Sequence, residues 1–166
     1  MSIGRHRELC LKISDQLKKG KIKIRSESRF YTMVKCPVVL CEIVSFAASN
    51  PDVLGFSGNR STYNIEVKTS VADFKSDKLK NCHRLNRTMG RFKYYLCENE
   101  IIRPEMIKNG WGLIYFGEKE SSVIKKSEDF FKSNKWCFQD EQLILMSIFR
   151  RAGLDKNIIT TNLFKK

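Results

Sequence analysis

Leu9, Ile13 and Leu17 recur every four residues near the start of the chain, with Cys10 beside them. That spacing predicts a helix over residues 5–19, stopped by Gly20. The period then changes. Residues 30–35 and 38–46 are rich in β-branched and aromatic side chains and are separated by Cys36-Pro37. They predict two strands, or one interrupted strand. A short apolar strand is predicted over 52–56, followed by a turn at Ser57-Gly58-Asn59-Arg60, where Gly and Asn tolerate positive φ. Residues 63–69 alternate, with Tyr63, Ile65 and Val67 on one side and Asn64, Glu66 and Lys68 on the other. A period of two places Glu66 and Lys68 on the same face.

Ser70, with Asp73 three residues later, begins a variant of the helix-start pattern, and the predicted helix runs to about Leu85. Strands are predicted over 92–97, 113–116 and 122–126, with a brief helical turn at Arg103-Pro104-Glu105. Residues 140–151 form a closing helix ended by Gly153, too dense in apolar positions for a fully exposed surface. Residues 154–166 are a polar, weakly patterned tail. This order predicts an α/β fold: one domain over residues 1–153, with a mixed central sheet flanked by helices on both faces. No Gly-x4-Gly-Lys-Ser/Thr loop of nucleotide-binding type occurs.

Composition changes the picture mainly through charge. Hydrophobic residues make up 42% and charged residues 30%, which describes a globular chain and not a disordered one. The net charge of +13 is large for 166 residues and points to a polyanion or an anionic surface as partner. Basic residues concentrate over 18–35 and 75–93, two blocks that would form a rim contacting phosphates. Solvated faces are the competing reading. The start of the chain lacks a signal-peptide core, and no stretch approaches about 18 apolar residues, so a cytoplasmic protein is expected. Six cysteines make no Cys-x2-Cys pair, and His6 and His83 complete no zinc pattern, so reduced thiols are expected.

The candidate chemistry lies in Pro51-Asp52, thirteen further residues, and Glu66-Val67-Lys68. Hard oxygen ligands suit Mg²⁺, with Mn²⁺ as substitute. Asp52 and Glu66 would supply them, and the backbone carbonyl of Val67 would be a third. Lys68 would orient or deprotonate an attacking water or stabilise developing charge. Thr69 and Ser70 would touch a phosphate, or cap the helix. Lys75, Lys78, Lys80, Arg84 and Arg87 are candidates for backbone contacts. Glu-x-Lys is common by chance, and a surface ion pair on an edge strand is the competing reading. Tyr94, Tyr95, Trp111 and Tyr115 would stack on bases or, more simply, fill the core. Asp73 and Asp77 would join the metal site or merely suit the helix dipole.

These motifs resemble the signature of the PD-(D/E)XK nuclease superfamily. Glu66-Val67-Lys68-Thr69-Ser70 running into Asp73-Phe74 and Asp77-Lys78, then Tyr94-Tyr95-Leu96 and Gly110-Trp111-Gly112-Leu113-Ile114-Tyr115, are similar to its small stand-alone phage and bacterial members. The resemblance implies a restriction-endonuclease-like core. It also implies a Mg²⁺-dependent nuclease, an endonuclease hydrolysing DNA by metal-activated water attack in a bacterial or phage-infected cell. Asp52 and Glu66 would be metal ligands, Lys68 catalytic, and a further acid would come from Glu8 or Glu42. No membrane is implied; a homodimer and a protein partner stay open. The alternative is a non-catalytic module on the same fold that binds nucleic acid or a protein, such as a phage counter-defence factor.

Overall fold

The computed structural model describes residues 3–25, 31–45, 47, 50–77, 89–108, 110–133 and 135–153. Helix α1 (Ile3–Lys19) leads into strands β1 (Ile22–Arg25), β2 (Tyr31–Val34), β3 (Val38–Cys41), β4 (Val53–Phe56) and β5 (Thr62–Val67). Helix α2 (Val71–Asp77), strand β6 (Phe92–Cys97), a 3₁₀ turn (Pro104–Met106), β7 (Gly112–Tyr115), β8 (Ser121–Lys125) and helix α3 (Phe138–Arg151) complete the order. Among the described residues the strands form one mixed sheet, in the order β2-β1-β8-β7-β6-β5-β4-β3. The expected α/β domain with a mixed sheet is therefore present.

β3, β4 and β5 are antiparallel neighbours, whereas β5, β6 and β7 run parallel. A parallel pair cannot be joined by a tight turn, and the chain between β5 and β6 includes α2. The apolar stripe of α1 behaves as its spacing requires. Leu9, Cys10, Ile13 and Leu17 are buried and cluster with Val53, Ile65, Val67 and Leu96. The alternate residues of the same strands join other clusters. Tyr95, Cys97 and Leu113 surround Phe74 of α2 and Trp111, and Leu54 meets Ile144 of α3 and Met89.

Several boundaries differ from the sequence reading. β1 carries only the short alternation Ile-Lys-Ile-Arg; its antiparallel pairing with β2 and parallel pairing with β8 supply its place. The expected strand over 38–46 stops at Cys41, because Glu42 turns into the left-handed region at φ 49°. The expected helix from Ser70 is seen as far as Asp77, and its continuation to Leu85 lies outside the described residues, as does the tail over 154–166. Tyr94, Tyr95 and Trp111 are at most 5% exposed, so the core reading holds for them and base stacking is ruled out. Tyr115 is half-buried, and its hydroxyl donates to the Ile102 carbonyl at 2.8 Å.

Gly112 faces Tyr94 across the β6–β7 pair. A methyl group there would collide with the Tyr94 ring and stand 2.6 Å from the Lys125 carbonyl oxygen, which is backbone and has little room to give. Gly112→Ala should therefore cost about 1–3 kcal/mol, seen as a lower urea midpoint with an unchanged slope.

Candidate metal and phosphodiester site

The site forms where β4 begins and β5 ends. Val53 pairs with Ile65, so the residue before Val53 lies alongside the end of β5. Asp52 uses this position directly: its Oδ2 accepts a hydrogen bond from the Val67 backbone N–H at 2.8 Å. Asp52 thus fastens the two strands while its carboxylate stays at the site. Glu66 and Lys68 follow on β5 and just beyond it, 4% and 3% exposed. The Lys68 Nζ lies 3.8 Å from Glu66 Oε2. β5 is an interior strand, flanked by β4 and β6. A surface ion pair on an edge strand is therefore excluded.

Asp77 is the acid the sequence reading undervalued. The sequence left it between the metal site and the helix dipole; it is fully buried and its Oδ1 lies 3.3 Å from Lys68 Nζ. One ammonium therefore stands between two carboxylates. The signal in the sequence was the seven-residue interval from Ser70, two helical turns, which returns Asp77 to the face that carries Phe74 and Ser70. Asp73 has a different task. Its N–H donates to Ser70 Oγ at 3.1 Å, and its Oδ2 accepts from the Thr69 N–H at 3.4 Å. This reciprocal pair starts α2. Ser70 is thereby a helix cap, the competing role foreseen for it.

The α1 contribution also differs from expectation. Glu8 is held by Arg5 and Lys12, each at 2.8 Å, and those two cations depress its carboxyl to about 2. Arg5 in turn binds Glu98. Glu42 pairs with Arg7 at 3.4 Å. The α1 side chain that reaches Asp52 is His6, whose Nε2 lies 3.2 Å from Asp52 Oδ2. The stripe Cys10, Ile13, Leu17 extended back by one turn lands on His6, so a sequence signal existed. Ligand atoms of His6, Cys10 and Glu42 lie within 4.8 Å of one another. Burial pushes the Cys10 thiol far above its usual range, which disfavours the thiolate a metal would need.

The basic rim is only partly seen. Lys75 is exposed on α2, and Lys18, Lys19, Lys21 and Lys35 are exposed in the first block. Lys78, Lys80, Arg84, Arg87 and His83 lie outside the described residues. In the second block Arg91 is committed to Asp129 at 2.7 Å, and Lys93 is fully buried. These two do not serve phosphates.

No protein-family model matches the chain, and no curated protein matches it. Among solved structures it is similar to a protein of unknown function from Silicibacter pomeroyi, with 17% sequence identity and a TM-score of 0.50. The match covers 77% of this chain and 85% of that one. At this identity the likeness concerns the fold alone.

The Asp52 hydrogen bond raises the His6 pKa above its ordinary value, outweighing its partial burial. A raised folded value means that protonated His6 contributes stability fully below about pH 6.5, and that this contribution is lost as pH rises through the folded pKa. In EDTA, Asp52→Asn should return the His6 titration, followed by proton NMR, toward the ordinary value. An unchanged titration would remove Asp52 as its partner.

Proposed function

We propose that this chain is a metal-dependent nuclease of the PD-(D/E)XK kind, hydrolysing DNA phosphodiester bonds. The observation that carries the reading is the convergence of Asp52, Glu66 and Lys68 at the shared end of β4 and β5. The element order adds support. After α1 and the β1–β2 pair, an antiparallel three-strand meander, a helix and a parallel strand follow one another as β3, β4, β5, α2 and β6. The alternating clusters on either side of β4 to β6 fit helices covering both faces of a restriction-endonuclease-like core.

The donor set fits a hard divalent ion. Glu66 and Asp77 flank the Lys68 ammonium, and Asp52 stands at the same end of the β4–β5 pair, an acidic centre in a chain of net charge +13. Mg²⁺, or Mn²⁺ in its place, would be held by Asp52, Glu66 and the Val67 carbonyl, with Asp77 the acid nearest Lys68. Such an ion supplies charge neutralisation and a bound water of lowered pKa. The chain's own residues do the rest. Lys68, drawn toward Glu66 and Asp77, holds a proton donor at the reacting phosphate and orients the attacking water. His6 and the Val67 N–H fix the rotamer of Asp52. Exposed Lys75 contacts the DNA backbone, with the wider basic surface giving salt-dependent affinity.

A second reading is favoured by one distance. Lys68 is nearer Asp77 (3.3 Å) than Glu66 (3.8 Å), as in a purely structural ion pair, and the domain would then bind nucleic acid or a protein without cutting.

Purified protein should nick plasmid or cut oligonucleotides in Mg²⁺ or Mn²⁺. Lys68→Ala and the isosteric Glu66→Gln should each lower the rate by about 100-fold or more, an effect of the size seen on losing a general acid–base or electrostatic group, with DNA binding kept. Full cleavage by both variants would sink the site assignment. Salt-dependent binding with no cleavage in either metal would favour the second reading.

A further inference from the structure

At the other end of β5 the fold builds a second polar centre. Glu141 of α3 is 3% exposed. Its Oε1 accepts three hydrogen bonds: from Thr62 Oγ1 at 2.9 Å, the Gly90 N–H at 2.9 Å and Trp136 Nε1 at 2.6 Å. Among the described residues no donor reaches its Oε2. Glu141 lines a cleft of about 290 Å³ whose walls include Phe56, Trp136, Phe138 and Leu145. The exposed Arg60 also lines it, from the β4–β5 turn, where it holds a left-handed φ of 63°. That conformation closes the turn, in which the Arg60 N–H donates to the Ser57 carbonyl at 3.2 Å and the Ser57 N–H to the Ser61 carbonyl at 2.9 Å.

Anchoring these elements needs one oxygen, and one oxygen does it. The second oxygen is left without a donor on a residue that lines the cleft, and the cleft has the pattern of a small-molecule site: mostly apolar lining with few polar groups. The ligand's chemistry follows from the walls. A carboxylate only accepts, so the ligand brings an N–H or O–H donor. Trp136 and Phe138 favour a flat ring. The volume, at the small end of ligand pockets, suits one or two fused rings. Arg60 and the net charge of +13 favour an anionic ligand over a free amine cation.

We propose that this cleft binds a nucleobase, its N–H edge donating to Glu141 Oε2 and its ring lying against Trp136 and Phe138. Arg60 meets the attached phosphate. The base comes either from a free nucleotide or from a strand with one base turned out, since both present the same edge. Thr62 and Glu66 are four residues apart on β5, roughly 13 Å, so this centre is separate from the carboxylate–lysine site and does not rest on the nuclease reading.

Trp136 reports on the cleft directly, because the chain has two tryptophans and the other, Trp111, is buried at 2% exposure. In EDTA, which keeps the candidate metal site out of the measurement, AMP, CMP or GMP should quench the fluorescence saturably, and ribose 5-phosphate should not. Tighter binding of a single-stranded oligonucleotide than of its mononucleotides assigns the base to a strand, and the reverse assigns it to a free nucleotide. Glu141→Gln keeps a carbonyl oxygen for the three anchoring donors but turns the second position into a donor, and it should weaken binding about tenfold or more. Phe138→Ala, at a half-exposed position, should also weaken it. Equal quenching by ribose 5-phosphate, no response to any of the three nucleotides, or wild-type affinity in both variants overturns the proposal.

Discussion

β5 is an interior strand of the sheet, and it carries Asn64 and Glu66 in a row that is buried like the apolar row beside it, with Lys68 continuing the row past its end. Removing an ion from water costs several kcal/mol even after relaxation. Two unit charges about 4 Å apart recover only about 4 kcal/mol at an effective dielectric near 20. A Glu–Lys pair by itself therefore does not stabilise this strand, and the surroundings must complete it. Asn64 donates to the Met89 carbonyl at 3.0 Å, and Lys68 gains Asp77 as a second carboxylate. The placement of α2 and of the segment around Met89 follows from this requirement. Each brings a polar partner to the row as well as an apolar residue to the core.

The same requirement repeats one strand over. Lys93 on β6 is fully buried, with its Nζ 4.1 Å from the centre of the Phe130 ring and donating to the Lys135 carbonyl at 3.2 Å. Burial lowers its pKa to about 8. A ring face and a carbonyl stand in for water without supplying a full counter-charge. Lys93 and Lys68 thus share a residue type and a buried setting but differ in partners. Of these two buried lysines, Lys68 is the one that lies between two carboxylates, Glu66 and Asp77.

What was legible in the sequence is what local periodicity encodes. The α1 stripe, the alternation of β5 and the apolar run of β6 each announce their element, because each buries a regular set of positions. β1 was not legible: four residues with two charges are identified as a strand by pairing with β2 on one side and, on the other, with β8 nearly a hundred residues later. The extent of β3 was hidden by the turn at Glu42. At the candidate site, Asp52, Glu66 and Lys68 could be named from spacing, since two strands joined by a short turn meet in a fixed register. Asp77 and His6 could not be named with the same ease. Both sit on helices, and a helix face is read relative to its apolar stripe only once that stripe's partner is known. Glu8 lies two residues beyond His6, on the side where Lys12 and Arg5 claim it.

These placements bear on how the two ends of β5 relate. Thr62 holds Glu141 at one end, and Val67 holds Asp52 at the other. Both contacts join a β5 group to a carboxylate from a different element, so the strand fixes the spacing of the two acidic centres. An interior strand paired on both sides is among the least deformable parts of a domain. A ligand bound at either end would therefore meet preformed geometry at both. The elements that carry the surrounding positive charge are the peripheral ones, as with Lys75 on α2 and Arg60 in the β4–β5 turn. Rigid acidic centres joined by one strand, with basic groups at the periphery, are the arrangement that the proposed action on a nucleic acid requires.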